Sequence, residues 1–230
     1  MFDLGIEDYL KNKMNIDLNH LFEEINKFPD DKSLIKEFLE ILVSINLPYK
    51  EFELGDSEFY KNQEYFDEQW KKFWDKNGIN DEKDSYYIFD NLRHAFNSYK
   101  FGGLIQLYER AEKEDWYPKI VINSFLGKQE DIDLLDNEIT IYRGTSFKEY
   151  ESGIFSQPWS LDEDIARKFA FEHYRGQLFY SNTERVLLKT KINKSDIFYY
   201  YRDNIEKEIV INPKDIKKEF VEEVEKGIIE

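Results

Sequence analysis

The hydrophobic periodicity of the chain changes near residue 138, and this change limits the possible folds more than any other feature of the sequence. Upstream of it, apolar residues recur three and four positions apart, which is the spacing of amphipathic helices. The helices predicted from this spacing cover residues 17–28, 31–45, 57–74, 85–99, 104–114 and 117–127. Pro118 would lie in the first turn of the last helix, and Gly127 would be its C-cap.

Downstream of residue 138 the sequence favours strands, because short runs of β-branched and aromatic residues alternate with turn-forming residues. The predicted strands cover residues 138–144, 185–192, 196–201 and 204–213. One helix is predicted among them, at 160–174, and residues 214–227 fit a helix or a strand equally well. A helical part followed by a mostly β part predicts an α+β fold.

The formal net charge of −16 is distributed unevenly along the chain. Residues 1–135 contain 17 Lys and Arg against 29 Asp and Glu, a net of −12, whereas residues 136–230 contain 15 against 19, a net of −4. A field of this sign disfavours phosphate backbones and anionic membranes. We therefore expect no membrane partner, and a nucleic acid is a less favoured partner than a protein.

The composition excludes several classes of site. The chain has no cysteine, and its three histidines, His20, His94 and His173, form no metal-spaced cluster, so no metal cofactor is expected. No apolar run approaches the roughly 20 residues that span a bilayer. The N-terminus has neither the basic nor the apolar region of a signal peptide. These features predict a soluble, cytoplasmic protein.

The apolar face of the strand predicted at 138–144 ends with a charged residue, Arg143. Side chains alternate along a strand, so Arg143 shares a face with Ile139 and Ile141. A guanidinium in that position needs either an anionic partner or an exit to solvent. Gly144 follows it, and a glycine there permits a close backbone approach to a ligand or makes a turn.

The strand predicted at 204–213 carries two glutamates. Alternation would direct Glu206 and Glu208 to the same face, with their Cα atoms about 6.6 Å apart. A pair of this kind, taken alone, most often belongs to the solvated face of a sheet edge. Only the neighbouring motifs can assign it a function.

The helix predicted at 160–174 begins with a recognisable signal. The pattern Ser160-x-x-Glu163 is that of a capping box, which would make Ser160 the N-cap of the helix. Trp159 precedes it and would serve as a hydrophobic staple or as an aromatic wall for a planar ligand.

Taken in order, three segments resemble the R–S–E arrangement of ADP-ribosyltransferases. They are IYRG (141–144), PWSLDEDIARKFA (158–170) and IEKEIVINP (205–213), with a V-L-L strand between the second and the third. The resemblance is closest to small bacterial and phage proteins in which a Tyr-Arg-Gly strand precedes a Trp-containing Ser or Thr turn and an A-x-x-F-A helix. It covers residues 139–213, a third of the chain.

The resemblance implies a fold and an activity. The expected core is a pair of roughly perpendicular antiparallel β-sheets in an ADP-ribosyltransferase-like catalytic domain at 84–230, preceded by an acidic helical region at 1–83. The expected activity is NAD-dependent mono-ADP-ribosyl transfer to a macromolecular acceptor. Because E-x-E spacing accompanies transfer to arginine in families that share it, a protein arginine is the first choice of acceptor. Such enzymes in bacteria and phages often act as toxins or in phage–host conflict.

The resemblance also implies roles for individual residues at the NAD-binding side. Arg143 would hold the NAD phosphates or ribose, which suits a planar, permanently charged fork. Gly144 and its neighbour Tyr142 would offer backbone groups to the nicotinamide amide. Trp159 and Ser160, from the second motif, would complete the cofactor-binding set.

The two glutamates would be the catalytic residues. By the resemblance, Glu208 corresponds to the glutamate that grips the nicotinamide ribose, and Glu206 to the one that activates the acceptor. The chemistry agrees, because cleavage of the C1′–N bond develops oxocarbenium character that a nearby carboxylate stabilises.

The second motif departs from the pattern of these families, and the departure leaves other functions open. Where they carry S-x-S or S-W-T, this chain has Pro158-Trp159-Ser160, so the first hydroxyl, which orients the glutamate, is replaced. Either Ser156 substitutes for it or the site is weakened. The alternatives are an NAD glycohydrolase that transfers ribose to water, and a catalytically inactive acidic binding module that occludes a basic partner.

Overall fold

The computed structural model describes residues 3–46, 57–111, 116–126, 129–176 and 182–229. Its contacts divide the chain into two compact units, Met1–Val121 and Ile122–Glu230. No helix in these described ranges is long and apolar enough to cross a membrane.

The first unit is helical. Its helices are α1 (Leu4–Asp8), α2 (Leu18–Asn26), α3 (Lys32–Asn46), α4 (Ser57–Asn77) and α5 (Tyr86–Arg110), and a π-helical turn at Tyr9–Lys13 follows α1. Aromatic residues connect three of them: the ring of Phe38 in α3 lies 5.2 Å from that of Phe73 in α4 and 5.5 Å from that of Phe89 in α5. The predicted helices at 17–28, 31–45, 57–74 and 85–99 are confirmed.

Helix α5 includes a sharp change of backbone direction at Gly103, where φ is 67° and ψ is −161°. This conformation is open to glycine and strained for other residues, which explains why the sequence pattern separates 85–99 from 104–114. The second of these predicted helices is confirmed as far as Arg110, and residues 112–114 lie outside the described ranges.

The helix predicted at 117–127 is wrong. Residues 116–126 are not helical, and their backbone pairs instead with the segment before α2. Asp17 N–H donates to Lys119 O over 2.8 Å, and Val121 N–H donates to Asn15 O over 2.8 Å. These backbone groups are therefore satisfied without helical turns. Gly127, the expected C-cap, lies outside the described residues.

The contact-based units differ from the division expected at residues 83 and 84. Helix α5 packs against α3 and α4 and belongs to the first unit, and the second unit begins only at Ile122. A functional domain starting at residue 84 stays a prediction.

The second unit is built on one sheet. Its elements are α6 (Gln129–Asp133), β1 (Glu138–Ser146), α7 (Phe147–Ser152), β2 (Pro158–Ser160), α8 (Glu163–Phe171), β3 (Glu184–Asn193), β4 (Ile197–Tyr200), β5 (Glu208–Ile211) and β6 (Glu222–Ile228). Every strand pairing among the described residues is antiparallel, and the strand order is β4-β5-β2-β1-β3-β6. The mixture of helix and antiparallel sheet is as predicted, but the two perpendicular sheets are not confirmed.

The two faces of this sheet have different coverings. One face, here called the core face, packs the main apolar cluster of the unit, whose sheet residues include Ile141, Trp159, Val186, Leu188, Ile209 and Ile211. The opposite face, called the α8 face, carries α8 across β1. A Cβ at Gly144 would lie 2.1 Å from Ala166 O and 2.3 Å from Ala170 N, so the helix backbone rests directly on this glycine.

We expect Gly144→Ala to destabilise the protein at the upper end of the about 1–3 kcal/mol typical of overpacking, because the obstructing atoms belong to a helix backbone and cannot rotate away. Gly227→Ala in β6 is the control, since its Cβ would meet only the edge of the Phe171 ring at 3.3 Å. Denaturant unfolding of both variants measures the difference. Equal stability of the two would contradict the close contact.

Candidate functional site

The fold brings the three sequence motifs to three adjacent strands. Tyr142 of β1 lies directly opposite Ser160 of β2, and Ser160 lies directly opposite Glu208 of β5. Neighbouring strands are about 4.8 Å apart, and directly opposite residues project from the same face of an antiparallel pair. Tyr142, Ser160 and Glu208 therefore form one row across the α8 face.

Arg143 projects from the other face, because it is the next residue along β1. Its Nε donates to Glu149 Oε1 over 2.8 Å and its Nη2 to Glu149 Oε2 over 3.2 Å, while Nη1 donates to the carbonyl of Pro158. Only 15% of the Arg143 side chain is exposed. The structure therefore pairs this arginine with α7 and places its Nη1 at the gap between β1 and β2.

Glu149 is the anionic partner that an arginine on an apolar face requires. In addition to Arg143, it accepts hydrogen bonds from the Thr145 hydroxyl over 2.7 Å and from the Ser156 N–H over 3.0 Å. Burial opposes ionisation of this carboxyl, but the charge and hydrogen bonds of Arg143, with those of Ser156 and Thr145, outweigh it. The pKa of Glu149 is consequently held below its usual range, and the group is a carboxylate.

Ser160 is not the N-cap of α8. Asp162 has that role, because its Oδ1 accepts from the N–H groups of Asp164 and Ile165. Ser160 ends β2 instead, where its hydroxyl donates to Glu206 O over 2.8 Å and accepts from Asp162 N–H over 3.0 Å. The predicted capping box is therefore wrong, and Trp159 is not its staple.

The predicted strand 204–213 is shorter than expected, and β5 begins only at Glu208. Residues 202–207 form turns, in which Asn204 Oδ1 accepts from Glu206 N–H over 2.9 Å and Lys207 has a φ of 46°. A residue in the left-handed region interrupts the two-residue alternation of a strand. The expectation that alternation puts Glu206 and Glu208 on one face is therefore wrong. Glu206 belongs to a turn, and Glu208 to the sheet.

A set of polar contacts fastens this turn to the start of α8. Leu161 N–H donates to Lys207 O over 3.0 Å, and Lys207 Nζ lies 2.7 Å from Asp162 Oδ2. With the bond from Ser160 to the Glu206 carbonyl, these contacts bind the glutamate-bearing turn to the β2–α8 junction. We call this set the Ser160 latch. The Lys207 ammonium, aided by the Ile165 N–H, lowers the pKa of Asp162.

Two other residues of these motifs, Trp159 of the second and Gly144 of the first, have packing roles. Trp159 is 2% exposed and lies in the core cluster, where its indole N–H donates to Ser156 O and its ring lies 5.9 Å from that of Phe155. In this position it does not form an exposed aromatic wall. Gly144 admits the α8 backbone, as described above.

Sequence reasoning missed three residues of this site. Glu149 could have been inferred only in kind, since the sequence left Arg143 either an anionic partner or an exit to solvent, and no spacing distinguished Glu149 from Glu151. Asp162 and Lys207 gave no signal as a pair, because only the β2–β5 pairing brings them together. In the described ranges no group of three or more His, Cys, Asp or Glu residues is arranged to hold a metal ion.

No protein-family model, curated protein or solved structure matches this chain. The likeness to ADP-ribosyltransferases consequently rests on the sequence motifs.

We expect Asp162→Ala to cost about 1 kcal/mol of stability, the usual loss of an N-cap oxygen. Asp162→Asn keeps a capping oxygen and loses only the exposed ion pair with Lys207, so it should cost much less stability than Asp162→Ala. Thermal or denaturant unfolding distinguishes the two. A loss that is equal in both variants would mean that the ion pair, and not the cap, stabilises this helix end.

Acidification should remove the stability that Glu149 contributes. Because its folded pKa is lower than its unfolded value of about 4.3, this contribution is complete above that pH and is lost as the pH falls through the folded pKa. Glu149→Gln should lose about 3 kcal/mol at pH 7, as for one broken member of a buried ion pair. The gap between variant and parent should narrow below about pH 4.

The measurement is the free energy of unfolding against pH for the parent, Glu149→Gln and the control Glu151→Gln, which alters an exposed glutamate of the same helix. A gap between parent and Glu149→Gln that stays constant from neutral to acid pH would exclude the proposed ionisation of Glu149.

Proposed function

We propose that this protein is an NAD-dependent mono-ADP-ribosyltransferase. One observation carries the proposal: motifs separated by up to about 65 residues in the sequence meet on the adjacent strands β5, β2 and β1, with Tyr142, Ser160 and Glu208 in a single row. Each motif alone is common. Their convergence on adjacent strands supports the proposal, while Arg143 of the first motif projects from the opposite face.

The residues present suit a nicotinamide ribose. Glu208 supplies a carboxylate at the start of β5, and the Ser160 latch holds the adjoining turn, so that Glu206 is anchored by its own carbonyl. Among the described residues β1 and β2 pair only at Tyr142 and Ser160, so Gly144 lies outside that ladder, although β3 pairs with it on the other side and α8 packs on it.

The chemistry supplied by bound NAD is a labile C1′–N bond whose electron pair leaves with neutral nicotinamide. Glu208 would stabilise the positive charge that develops at C1′ as this bond breaks. Glu206 would take a proton from the nucleophilic atom of the acceptor as that atom bonds to C1′. A protein arginine is the acceptor proposed first, and a toxin or phage–host conflict role accompanies it as part of the same proposal.

The hydroxyl missing at Pro158 has a partial counterpart in this site. The Ser160 hydroxyl donates a 2.8 Å hydrogen bond to the backbone carbonyl of Glu206. Ser160 therefore positions Glu206 through its backbone and not through its carboxylate. This supports an active enzyme with a different way of orienting its glutamates.

A second candidate is the inactive binding module, and one observation favours it. The arginine expected to hold NAD is already paired with Glu149 through both carboxylate oxygens. An arginine used in this manner stabilises the sheet without any ligand. Hydrolysis of NAD to free ADP-ribose would instead indicate the glycohydrolase.

The decisive experiment measures nicotinamide release and label transfer from NAD to lysate proteins. We expect Glu208→Gln to lower all NAD cleavage by about 10²–10³, because it removes the stabilising charge. Glu206→Gln should lower transfer to protein by about 10²–10⁴, the contribution of a general base, and leave slow nicotinamide release to water.

The matched control is Glu222→Gln, which changes an exposed glutamate of the same sheet on β6 and should leave both activities unchanged. Equal loss of both activities in the two site variants would contradict the separate roles of Glu206 and Glu208. Absence of both activities in the parent protein would favour the binding module.

A further inference from the structure

Strand β6 forms one edge of the sheet. It is the last strand of the order, and in the described part of the chain its backbone hydrogen bonds run only to β3. Every residue of β6 except Gly227 is exposed. In an antiparallel pair, alternate residues of an edge strand direct their N–H and C=O groups away from the partner strand. This edge therefore presents a row of backbone donors and acceptors to solvent.

The opposite edge of the sheet, β4, is partly occupied by the chain itself. Leu126 N–H donates to Phe198 O in this strand over 2.6 Å. Ile197 and Tyr199 of the same strand are each only 4% exposed. Of the two edges, β6 is consequently the more open to a further strand.

The side chains along β6 carry an excess of negative charge. Arg167 in α8 lies within 2.9 Å of three carboxylates, which are those of Glu163, Asp164 and Glu225. Glu223 projects from the core face, opposite Leu188, and has no ion-pair partner among the described residues. Six carboxylates and three cations line this edge: Glu163, Asp164, Glu184, Glu222, Glu223 and Glu225 with Arg167, Lys189 and Lys226. The edge is therefore acidic.

Two features of β6 oppose association of the protein with itself. Leu187 pairs with Glu225 and Leu188 with Glu223, so Val224 is the additional residue of a bulge, which bends the edge. Two copies would also bring together edges of the same net charge, and like charges repel. Bulges and charged side chains commonly protect edge strands from indiscriminate pairing. The same charge attracts a basic strand.

We propose that β6 is a docking edge for a basic, extended segment of a partner protein, which adds to the sheet as a further strand. The main chain of this segment pairs with the outward N–H and C=O groups of β6, and its lysine or arginine side chains lie opposite Glu222, Glu223 and Glu225. Val224 and Ile228, which are 36% and 60% exposed, offer apolar contacts beside these charges. The docking is independent of the proposed catalysis, because no residue of the candidate site takes part in it.

The test uses a synthetic peptide as long as β6, in which lysine alternates with valine and threonine, residues that favour strands. Its control has the same sequence with every backbone nitrogen methylated, which keeps the charge and removes the N–H donors. We expect the first peptide to slow hydrogen exchange of the amides in 222–228, measured by mass spectrometry on the whole protein. The methylated peptide should bind at least about tenfold more weakly, because several backbone hydrogen bonds are lost together.

A matched pair of variants tests the charge. Glu223→Lys reverses an exposed charge on β6, so it turns an attractive cross-strand pair into a repulsive one and should weaken binding of the lysine peptide about tenfold, less at high salt. Asp136→Lys makes the same change of charge at an exposed position before β1. There β6 is absent, because it pairs with β3 only as far as Lys189, whereas Glu138 lies opposite Asn193. This control should leave binding within about twofold of the parent, since solvent and salt screen a distant surface charge.

Four results would overturn the proposal. Absence of exchange protection at 222–228 with the lysine peptide would exclude docking at this edge. Equal binding of the methylated peptide would show that charge alone attracts it, without strand addition. Equal weakening by Asp136→Lys and Glu223→Lys would show attraction to the protein as a whole. Protection of 222–228 that rises with protein concentration in the absence of peptide would show that a second copy occupies the edge.

Discussion

The second unit depends on the burial of one ion pair beneath its sheet. A carboxylate can remain there only if its oxygens are hydrogen-bonded, and Glu149 obtains those bonds from two separate segments: Arg143 and Thr145 of β1, and Ser156 of the loop before β2. In meeting this requirement, the carboxylate joins β1, α7 and the approach to β2. The relative placement of the first two motifs follows from the same contacts.

A second set of contacts connects the end of β2 to β5 and to the turn before it. Ser160 lies at the end of β2, opposite Glu208, and its hydroxyl bonds the carbonyl of Glu206. The Lys207–Asp162 ion pair lies beside it and connects the same turn to the N-cap of α8. The Glu149 network on the core face and the Ser160 latch at β2–β5 together hold the three motifs. The chemistry proposed for Glu208 depends on both.

The elements of the site were largely predictable, and their partners were not. The strand at 138–144, the helix within 160–174 and the strand at 185–192 follow from local periodicity, and β1, α8 and β3 are found there. The helix at 117–127 failed because its backbone groups pair with residues 15–17, which no local pattern reveals. Ser160 and Asp162 are equally good N-caps by residue type. Pairing of β2 with β5 draws Ser160 into the sheet and leaves the cap to Asp162.

The sequence by itself determined the strands at 138–144, 185–192 and 196–201 and the helix within 160–174, and that Arg143 on an apolar face would need an anionic partner or an exit to solvent. These properties depend on side-chain type and on the two backbone periods, which act over a few residues. Only the tertiary structure decided that the partner is Glu149, that Arg143 and Glu208 project from opposite faces, and that Glu206 lies in a turn. Strand register and the hydrogen bonding of buried polar groups are settled between distant segments, because a buried donor or acceptor is satisfied by whichever group the fold brings within reach.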